Sequence, residues 1–238
     1  MGEVGEVVSG GTPSTKNPFF WGNEIVRFAP SDLTGYSGKF IQRGAKSISR
    51  KGLRESSAQL MPAGSVMFSS RAPIGYVAIT AVESATNQGF KSVVPNAGIF
   101  NEYLYYFFKA AKPEAERRAT GTTFKEISGS SFARLRVPVA PLREQRRIVA
   151  KIEELFSELD ASAESLTRAR ALLKTYRQSL LKAAFEGKLT ADTERRAWRS
   201  SSVGAEISYL TSGSRGWADY YAPVGEIFIR AQNLKHDR

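Results

Sequence analysis

The chain contains no cysteine and a single histidine, His236, among its 238 residues. Without cysteine there is no disulfide and no thiolate metal site, and a reducing compartment is the expected environment. One histidine excludes a histidine cluster for a metal ion and leaves residues 1–140 without a histidine general base. We therefore expect no metal site, no catalytic residue and no cofactor in this chain.

Long apolar stretches are also missing. No run approaches the roughly 20 apolar residues that a membrane-spanning helix needs. The N-terminal residues MGEVGEVVSGGTP lack the basic segment and the apolar core of a signal peptide. These absences predict a cytoplasmic protein that does not contact a membrane.

Acidic residues are scarce beside basic ones, 23 against 34, which gives a net charge of +11 and an isoelectric point near 9.9. A strongly basic chain favours a polyanionic partner, with DNA or RNA as the leading candidate. The alternative is a basic protein with no such partner, so the distribution of the charge has to decide.

One basic stretch contains no Asp or Glu between Asp32 and Glu55. Four glycines punctuate it, which predicts a loop. Lys and Arg gain affinity for phosphates by releasing counterions, so this stretch is a candidate for backbone phosphate contacts. A solvated surface remains the alternative. The basic candidates are Lys39, Arg43, Lys46, Arg50, Lys51 and Arg54.

Further side chains that could contact DNA are expected in two later segments. Arg71 follows an apolar segment, and Asn87 and Gln88 lie in a polar loop that ends at Lys91. Arg pairs bidentately with guanine, and Asn or Gln pairs with adenine. We take these four residues as further candidates for DNA contact, although the amides could equally cap turns.

Residues 1–140 predict one domain of mixed strands and turns. Strands are expected from Trp21 to Phe28, after the Pro62-Ala63-Gly64 turn, and at Gly75–Ile79. The aromatic-rich segment Phe100–Ala111 has helical spacing, which favours a helix packed on the core over a base-stacking platform.

A heptad repeat occupies the segment from Pro141 to Gly187. Apolar residues recur at alternating steps of four and three, without Pro or Gly between Leu142 and Glu186, which predicts one long coiled-coil helix over residues 141–188. The fold class is therefore α+β. The residues expected to pair with another helix are Ile148, Ile152, Leu155, Leu159, Leu166, Leu173, Tyr176 and Leu180.

The charges of this helix are divided between its halves. Acidic residues predominate over 153–164 and basic residues over 168–182, although three basic residues at 146, 147 and 151 break the pattern. Antiparallel pairing of two such helices sets acid against base, so we expect an antiparallel partner with a similar pattern. A long solvated helix lying on its own domain is the alternative.

The last segment, 189–238, begins with a polar linker and then resembles the start of the chain. Val203–Ile207 is similar to Val4–Val8, and Gly225–Leu234 is similar to Gly22–Leu33. We interpret it as the truncated start of a second copy of the first domain.

Three runs, GGTPSTKNPFFWGNEIVRFAPSDL, MPAGSVMFSSRAPIGYVAI with TNQGFKSVVP, and VPVAPLREQRRIVAKIEELF, resemble the DNA-specificity subunit of type I restriction–modification systems. The resemblance covers nearly the whole chain. It implies a target-recognition domain followed by a conserved long helix, with residues 141–187 matching the helix that serves as spacer and docking site. In the family, a second domain and helix follow, and the two helices pair antiparallel.

The resemblance also implies a non-catalytic subunit that reads half of a bipartite sequence in double-stranded DNA. Methyltransferase subunits carry S-adenosylmethionine and methylate adenine, and endonuclease subunits join for restriction. Because this sequence lacks most of the second domain and the second helix, we expect a homodimer that reads an inverted repeat. The alternative is a stand-alone DNA-binding protein that dimerises through the coiled coil without a methyltransferase.

Overall fold

The computed structural model describes residues 3–122, 125–189, 198–209, 222–225 and 229. The chain divides into two compact units, Met1–Thr167 and Arg168–Arg238. The first unit contains two sheets, several helices and the first part of the long helix. The α+β class predicted from the sequence is confirmed.

The larger sheet has five strands in the order β1-β8-β5-β6-β3. Neighbours are antiparallel, except that β3 runs parallel to β6. Every residue of β5 is buried, because the strand lies in the middle of the sheet and packs on both faces. The strands are β1 (Gly5–Ser9), β3 (Phe40–Ile41), β5 (Val66–Ser69), β6 (Val77–Thr80) and β8 (Phe90–Pro95).

The smaller sheet has three strands in the order β4-β2-β7. They are β2 (Trp21–Phe28), β4 (Lys46–Ile48) and β7 (Ser84–Thr86). Strand β2 is antiparallel to β4 and parallel to β7. The expected strand from Trp21 to Phe28 is confirmed, and an irregularity near its start shifts the register between Trp21 and Ile25.

Three helices pack on the sheets, namely α1 (Arg50–Arg54), α2 (Asn101–Arg118) and α3 (Gly129–Ala133). Phe68, Phe108 and Phe132 form the centre of the main core, with ring centroids 5.3 to 5.5 Å apart. The aromatic segment therefore is a core helix, as expected, and it extends to Arg118.

The prediction that residues 33–54 form a loop is wrong in part, because the segment contains β3, β4 and α1. Its glycines serve close packing as well as turns. A Cβ atom on Gly44 would lie 2.4 Å from the backbone oxygen of Arg27, and one on Gly52 would lie 2.2 Å from that of Phe20. Composition alone does not distinguish such a glycine from one that favours a turn.

The long helix α4 (Leu142–Phe185) has 44 residues, about 66 Å at 1.5 Å per residue. Gly187 ends it in the left-handed region, with φ of 66°. The N–H of Gly187 donates to the oxygen of Ala184 over 3.0 Å, and that of Lys188 to the oxygen of Ala183 over 2.8 Å. These two bonds form the Schellman motif, which confirms the predicted cap.

Among its described residues, the second unit contains the end of α4 and a short helix, α5 (Val203–Glu206). The corresponding residues near the start of the chain form β1, which is held by β8, whereas residues 203–207 have no strand beside them among the described residues. Most of the later part of the predicted repeat, 226–228 and 230–238, lies outside the described residues, as does His236. No helix in the described part of the chain is long and apolar enough to cross a membrane.

Candidate nucleic-acid interface and helix surface

Five side chains from four separate segments form a connected group that we call the Trp21 cluster: Thr12, Trp21, Arg27, Lys46 and Gln88. The Arg27 guanidinium lies 5.5 Å from the centre of the Trp21 ring, and the Lys46 ammonium lies 5.6 Å from it. Arg27 Nη2 donates to Thr12 Oγ1 over 2.9 Å, and Thr12 Oγ1 donates to Gln88 Oε1 over 2.6 Å.

Arg27 is the buried member of the cluster, with 6% of its surface exposed. Burial lowers the pKa of Arg27, and the nearby Asp32 carboxylate opposes that effect. Its Nε atom is buried without a hydrogen-bond partner in the described part of the chain. The guanidinium therefore lies below the protein surface. Thr12 and Gln88 connect it to the surface through hydrogen bonds.

The loop that carries Thr12 is fixed at both ends. The N–H of Gly11 donates to the oxygen of Thr86 over 2.9 Å, and the Trp21 indole donates to the oxygen of Ser14 over 3.2 Å. A Cβ atom on Gly10 would lie 2.1 Å from the oxygen of Asn87. Glycine at this position therefore allows the loop to lie directly against residues 86–87.

The loop that carries Gln88 is fixed by its backbone. Asn87 N–H donates to the oxygen of Phe28 over 2.9 Å, and Ser70 N–H donates to the oxygen of Gly89 over 2.7 Å. Asn87 Oδ1 accepts from Gly89 N–H over 3.0 Å, so this amide caps its own turn. Gln88 is exposed, and among the described residues its Nε2 donates no hydrogen bond.

A cleft of about 440 Å³ lies beside the Trp21 ring. It is lined by Thr15, Trp21, Gly22, Asn23, Lys46 and Ser47. Its only charged side chain is the cation of Lys46. A cleft with one ammonium, polar side chains and no carboxylate among its lining residues is compatible with an anionic group.

The basic candidates fall into two groups. Five are exposed, namely Arg43, Lys46, Arg50, Lys51 and Arg54. Arg50 lies 3.8 Å from the carboxylate of Glu24, and the other four have no carboxylate within 4 Å among the described residues. The charges of these four residues are therefore available to an external anion.

Two later candidates, Arg71 and Lys91, share the carboxylate of Glu126. Arg71 Nη1 lies 3.4 Å from Glu126 Oε2, and Lys91 Nζ lies 3.6 Å from Glu126 Oε1. Lys91 is 8% exposed. The charges of both residues are already paired inside the chain, so their contact with DNA stays a prediction, as does that of Asn87.

Lys39 joins two helices. Its ammonium donates to Glu102 of α2 and to Glu153 of α4. Burial favours the neutral amine, but the hydrogen bonds to the two carboxylates outweigh it and raise the pKa of Lys39. Tyr106 also donates to Glu153 over 3.3 Å. Lys39 therefore holds α4 against the domain, and its proposed contact with phosphates is untested.

The start of α4 is anchored by two buried residues that the sequence did not single out as an anchor. Gln145 has no exposed surface, and Val149 is 3% exposed. Phe156 contacts Tyr106 at a centroid distance of 6.1 Å. Part of the apolar surface of α4 outside the heptad positions is therefore used within this domain, by the buried Val149 and by Phe156, which remains 51% exposed.

The helix positions predicted to pair with a partner are largely uncovered. Leu155, Leu159, Leu166, Leu173 and Tyr176 are exposed, with 49% to 64% of their surface accessible, while Ile148, Ile152 and Leu180 are half-buried. We call these eight residues the apolar seam. No described residue covers the exposed five, and their pairing stays a prediction. No group of three or more potential metal ligands occurs among the described residues.

The structure is thus an α+β domain continued by a long helix with an exposed apolar seam. Residues 1–167 match the family model described as the type I restriction modification DNA specificity domain. The chain therefore belongs to this family, and the resemblance stated from its motifs is confirmed.

Curated relatives support the same assignment. The MjaIX type I restriction enzyme specificity subunit of Methanocaldococcus jannaschii is 39% identical over 159 residues, which cover 66% of this chain and 37% of the relative. The EcoR124I/EcoR124II specificity subunit of Escherichia coli is 28% identical over 174 residues, covering 70% of this chain and 41% of that one. The chain thus spans less than half the length of these relatives.

Two solved structures have a similar fold. A chain from a study of complex assembly and conformational transition of the type I R-M system gives a TM-score of 0.54 at 26% identity, covering 79% of this chain and 45% of that chain. The HsdS subunit from Thermoanaerobacter tengcongensis gives a TM-score of 0.53 at 25% identity, covering 79% and 44%.

Proposed function

We propose that this chain is the non-catalytic, sequence-specific DNA-binding subunit of a type I restriction–modification complex. Its family membership supports this role. The Trp21 cluster is the observation from which we propose which residues contact DNA. This cluster combines an exposed amide on a fixed loop with an aromatic ring and an exposed ammonium on strands β2 and β4. Arg43, Lys51 and Arg54 add cations without a carboxylate partner in the described chain, which suits contacts to duplex phosphates.

The long helix serves as spacer and docking site in this proposal. Its seam is exposed over five of eight predicted pairing positions. A second copy of the chain is the occupant that the charge pattern fits, because antiparallel pairing sets the acidic half against the basic half. Two copies would hold two recognition domains apart and read an inverted, bipartite target.

The catalytic partners are methyltransferase subunits that carry S-adenosylmethionine, and endonuclease subunits that join them. The isolated chain would bind no S-adenosylmethionine in this arrangement. Isothermal titration calorimetry of the chain with S-adenosylmethionine tests that part, and micromolar binding would contradict it.

Methylome mapping tests the central proposal. The chain is expressed with the type I methyltransferase subunit of its own genome, and methyladenine is mapped by single-molecule sequencing. A new symmetric split motif is the expected result. An asymmetric split motif would mean that another chain supplies the second half. The absence of any new motif, combined with specific binding of duplex DNA, would favour the stand-alone DNA-binding protein.

Light scattering tests the homodimer separately. The expected mass is twice the 26.2 kDa of the chain. A monomer at micromolar concentration would contradict the homodimer and leave the DNA-binding role intact.

A further inference from the structure

We infer that Gln88 reads an adenine in the major groove, and that Arg27 and Thr12 act as positioning residues that orient its amide. This inference rests on the proposed function, since it concerns the same DNA-binding surface. It assigns one base position to one side chain and gives the buried Arg27 a role in specificity.

The polarity of the hydrogen bonds determines how Gln88 is oriented. A guanidinium only donates, so Thr12 Oγ1 must accept from Arg27 Nη2 over 2.9 Å. The hydroxyl hydrogen of Thr12 is then available for its second partner, Gln88, at 2.6 Å. That distance is typical of a bond between two oxygen atoms. Because 2.6 Å is shorter than an ordinary N–H···O bond, the atom of Gln88 that contacts Thr12 is assigned as Oε1, and Nε2 points away from this contact.

The exposed end of the amide therefore presents a defined pattern. Nε2 of Gln88 offers its hydrogens, and Oε1 keeps a second lone pair beyond the one that Thr12 occupies. An adenine presents N7 as an acceptor and N6 as a donor in the major groove, which matches both atoms. A guanine presents two acceptors there, so its O6 would face Oε1 without a hydrogen bond.

The surroundings hold this pattern in place. Backbone hydrogen bonds to Phe28 and Ser70 fix the loop on either side of Gln88. Arg27 is buried and stacks on Trp21, so it cannot follow Thr12 outward. Lys46 shares the same ring and is exposed, which places an ammonium for a phosphate in the same cluster as the amide. The side chain meets the base already oriented, so less conformational entropy is lost on binding.

Selection from random duplex DNA tests the inference. The full chain is incubated with a pool of duplexes of random sequence, and bound DNA is sequenced. Wild type is expected to enrich a motif that includes, in each half-site, one adenine governed by Gln88. Gln88→Glu keeps the acceptor toward Thr12 but replaces the donors with an acceptor, so preference at that one position should change from adenine to cytosine. Each good base contact discriminates roughly 5- to 150-fold.

A pair of Thr12 variants separates orientation from simple contact. Thr12→Val removes the hydroxyl, so discrimination at the same position should fall about fivefold or more, with total DNA binding nearly unchanged. Thr12→Ser keeps the hydroxyl and should retain the wild-type preference. Gln88 is exposed and Thr12→Ser keeps the hydroxyl, so thermal unfolding of Gln88→Glu and Thr12→Ser should agree with wild type within a few degrees. Thr12→Val also removes the acceptor of the buried Arg27 Nη2, so its discrimination is measured well below its own unfolding midpoint.

The outcomes distinguish this inference from the proposed function. A wild-type motif that Gln88→Glu leaves unchanged would overturn the role of Gln88 and preserve the DNA-binding role. A base change in Gln88→Glu with no effect of Thr12→Val would overturn the positioning role of Thr12 and Arg27. Failure of wild type to enrich any motif would overturn both the inference and the proposed sequence-specific binding.

Discussion

The side-chain oxygen of Gln145 accepts a hydrogen bond from the backbone N–H of Phe100 over 2.8 Å. The same amide donates to the oxygens of Gly98 and Ala140 over 3.0 and 2.8 Å. One fully buried side chain therefore joins the first turn of α4 to the residue that precedes α2 and to its own connecting segment. It supplies hydrogen-bond partners to three backbone groups at the place where α4 joins the domain.

Replacing this amide should weaken the domain. Gln145→Met keeps the length of the side chain but leaves one N–H and two carbonyl oxygens without their partner, which should cost about 2–3 kcal/mol of unfolding free energy. Urea unfolding at a fixed protein concentration measures the loss. Gln178→Met, on the exposed part of the same helix, should change stability by less than about 0.5 kcal/mol. Equal losses in both variants would contradict the anchoring role of Gln145.

The hydrogen bonds of Lys39 to two helices predict that replacing it will also lower the unfolding free energy. Lys39→Met leaves Glu102 and Glu153 without the cation between them, which should destabilise the domain by about 1 kcal/mol near pH 8. Lys51→Met is the matched control, because Lys51 is exposed and has no carboxylate partner among the described residues. The same urea experiment compares the two, and a smaller effect in Lys39→Met than in the control would count against the contact.

The contribution of Lys39 should also depend on pH. Its pKa is raised in the folded chain, so the stabilisation is fully present below the unfolded value, about pH 10.4, and is lost as the pH rises through the folded pKa. The difference in unfolding free energy between wild type and Lys39→Met should therefore shrink above about pH 10.4. A difference that stays constant up to pH 12 would contradict the ionic origin of the effect.

A charge in the apolar seam should abolish self-association. Leu166 is 56% exposed in the single chain, so Leu166→Asp should fold normally but should not bury this position against a second helix. Light scattering should give 26.2 kDa for the variant and twice that for wild type. Gln178→Glu, at an outward position of the heptad, should remain dimeric. A dimeric Leu166→Asp would show that the seam is not the interface.

The exposed ammonium of Lys46 should contribute to affinity without contributing to sequence preference. Lys46→Gln removes one phosphate contact per copy of the chain, so the slope of log affinity against log salt concentration should become shallower by about 0.9 for each copy bound. Fluorescence anisotropy with two unrelated duplexes should show similar losses for both. Lys112→Gln, which removes a cation paired with Glu116 on α2, should leave the slope unchanged. A loss confined to one duplex would indicate base reading instead.

Features with a local cause were predictable from the sequence. The heptad spacing predicted α4, and Gly187 predicted its end, because both depend on residues within a few turns of one another. The strand from Trp21 to Phe28 and the aromatic helix followed from apolar periodicity in the same way. The lone exception among these local expectations was the segment 33–54, whose glycines allow close packing.

Features with a distant cause were not predictable. Lys39 lies 114 residues from Glu153 in the chain. Arg71 lies 55 residues from Glu126, the carboxylate that it shares with Lys91. A basic side chain carries the same sign whether it meets a phosphate or a carboxylate, so composition cannot separate the two cases. The burial of Gln145 was not predictable for a related reason. A polar residue in a helix is expected to be exposed unless its neighbours in the fold are known.

In the loop at residues 87–89, the hydrogen bonds that fix the backbone are independent of the Gln88 side chain that the loop exposes. Its backbone hydrogen bonds involve Asn87, Gly89 and distant strands, and none of them uses an atom of the Gln88 side chain. Position 88 therefore accepts another polar side chain without a change in the fold. Under the inferred role of Gln88, one scaffold of this kind would support different target sequences, because a single exposed residue can be exchanged while the framework that presents it stays constant.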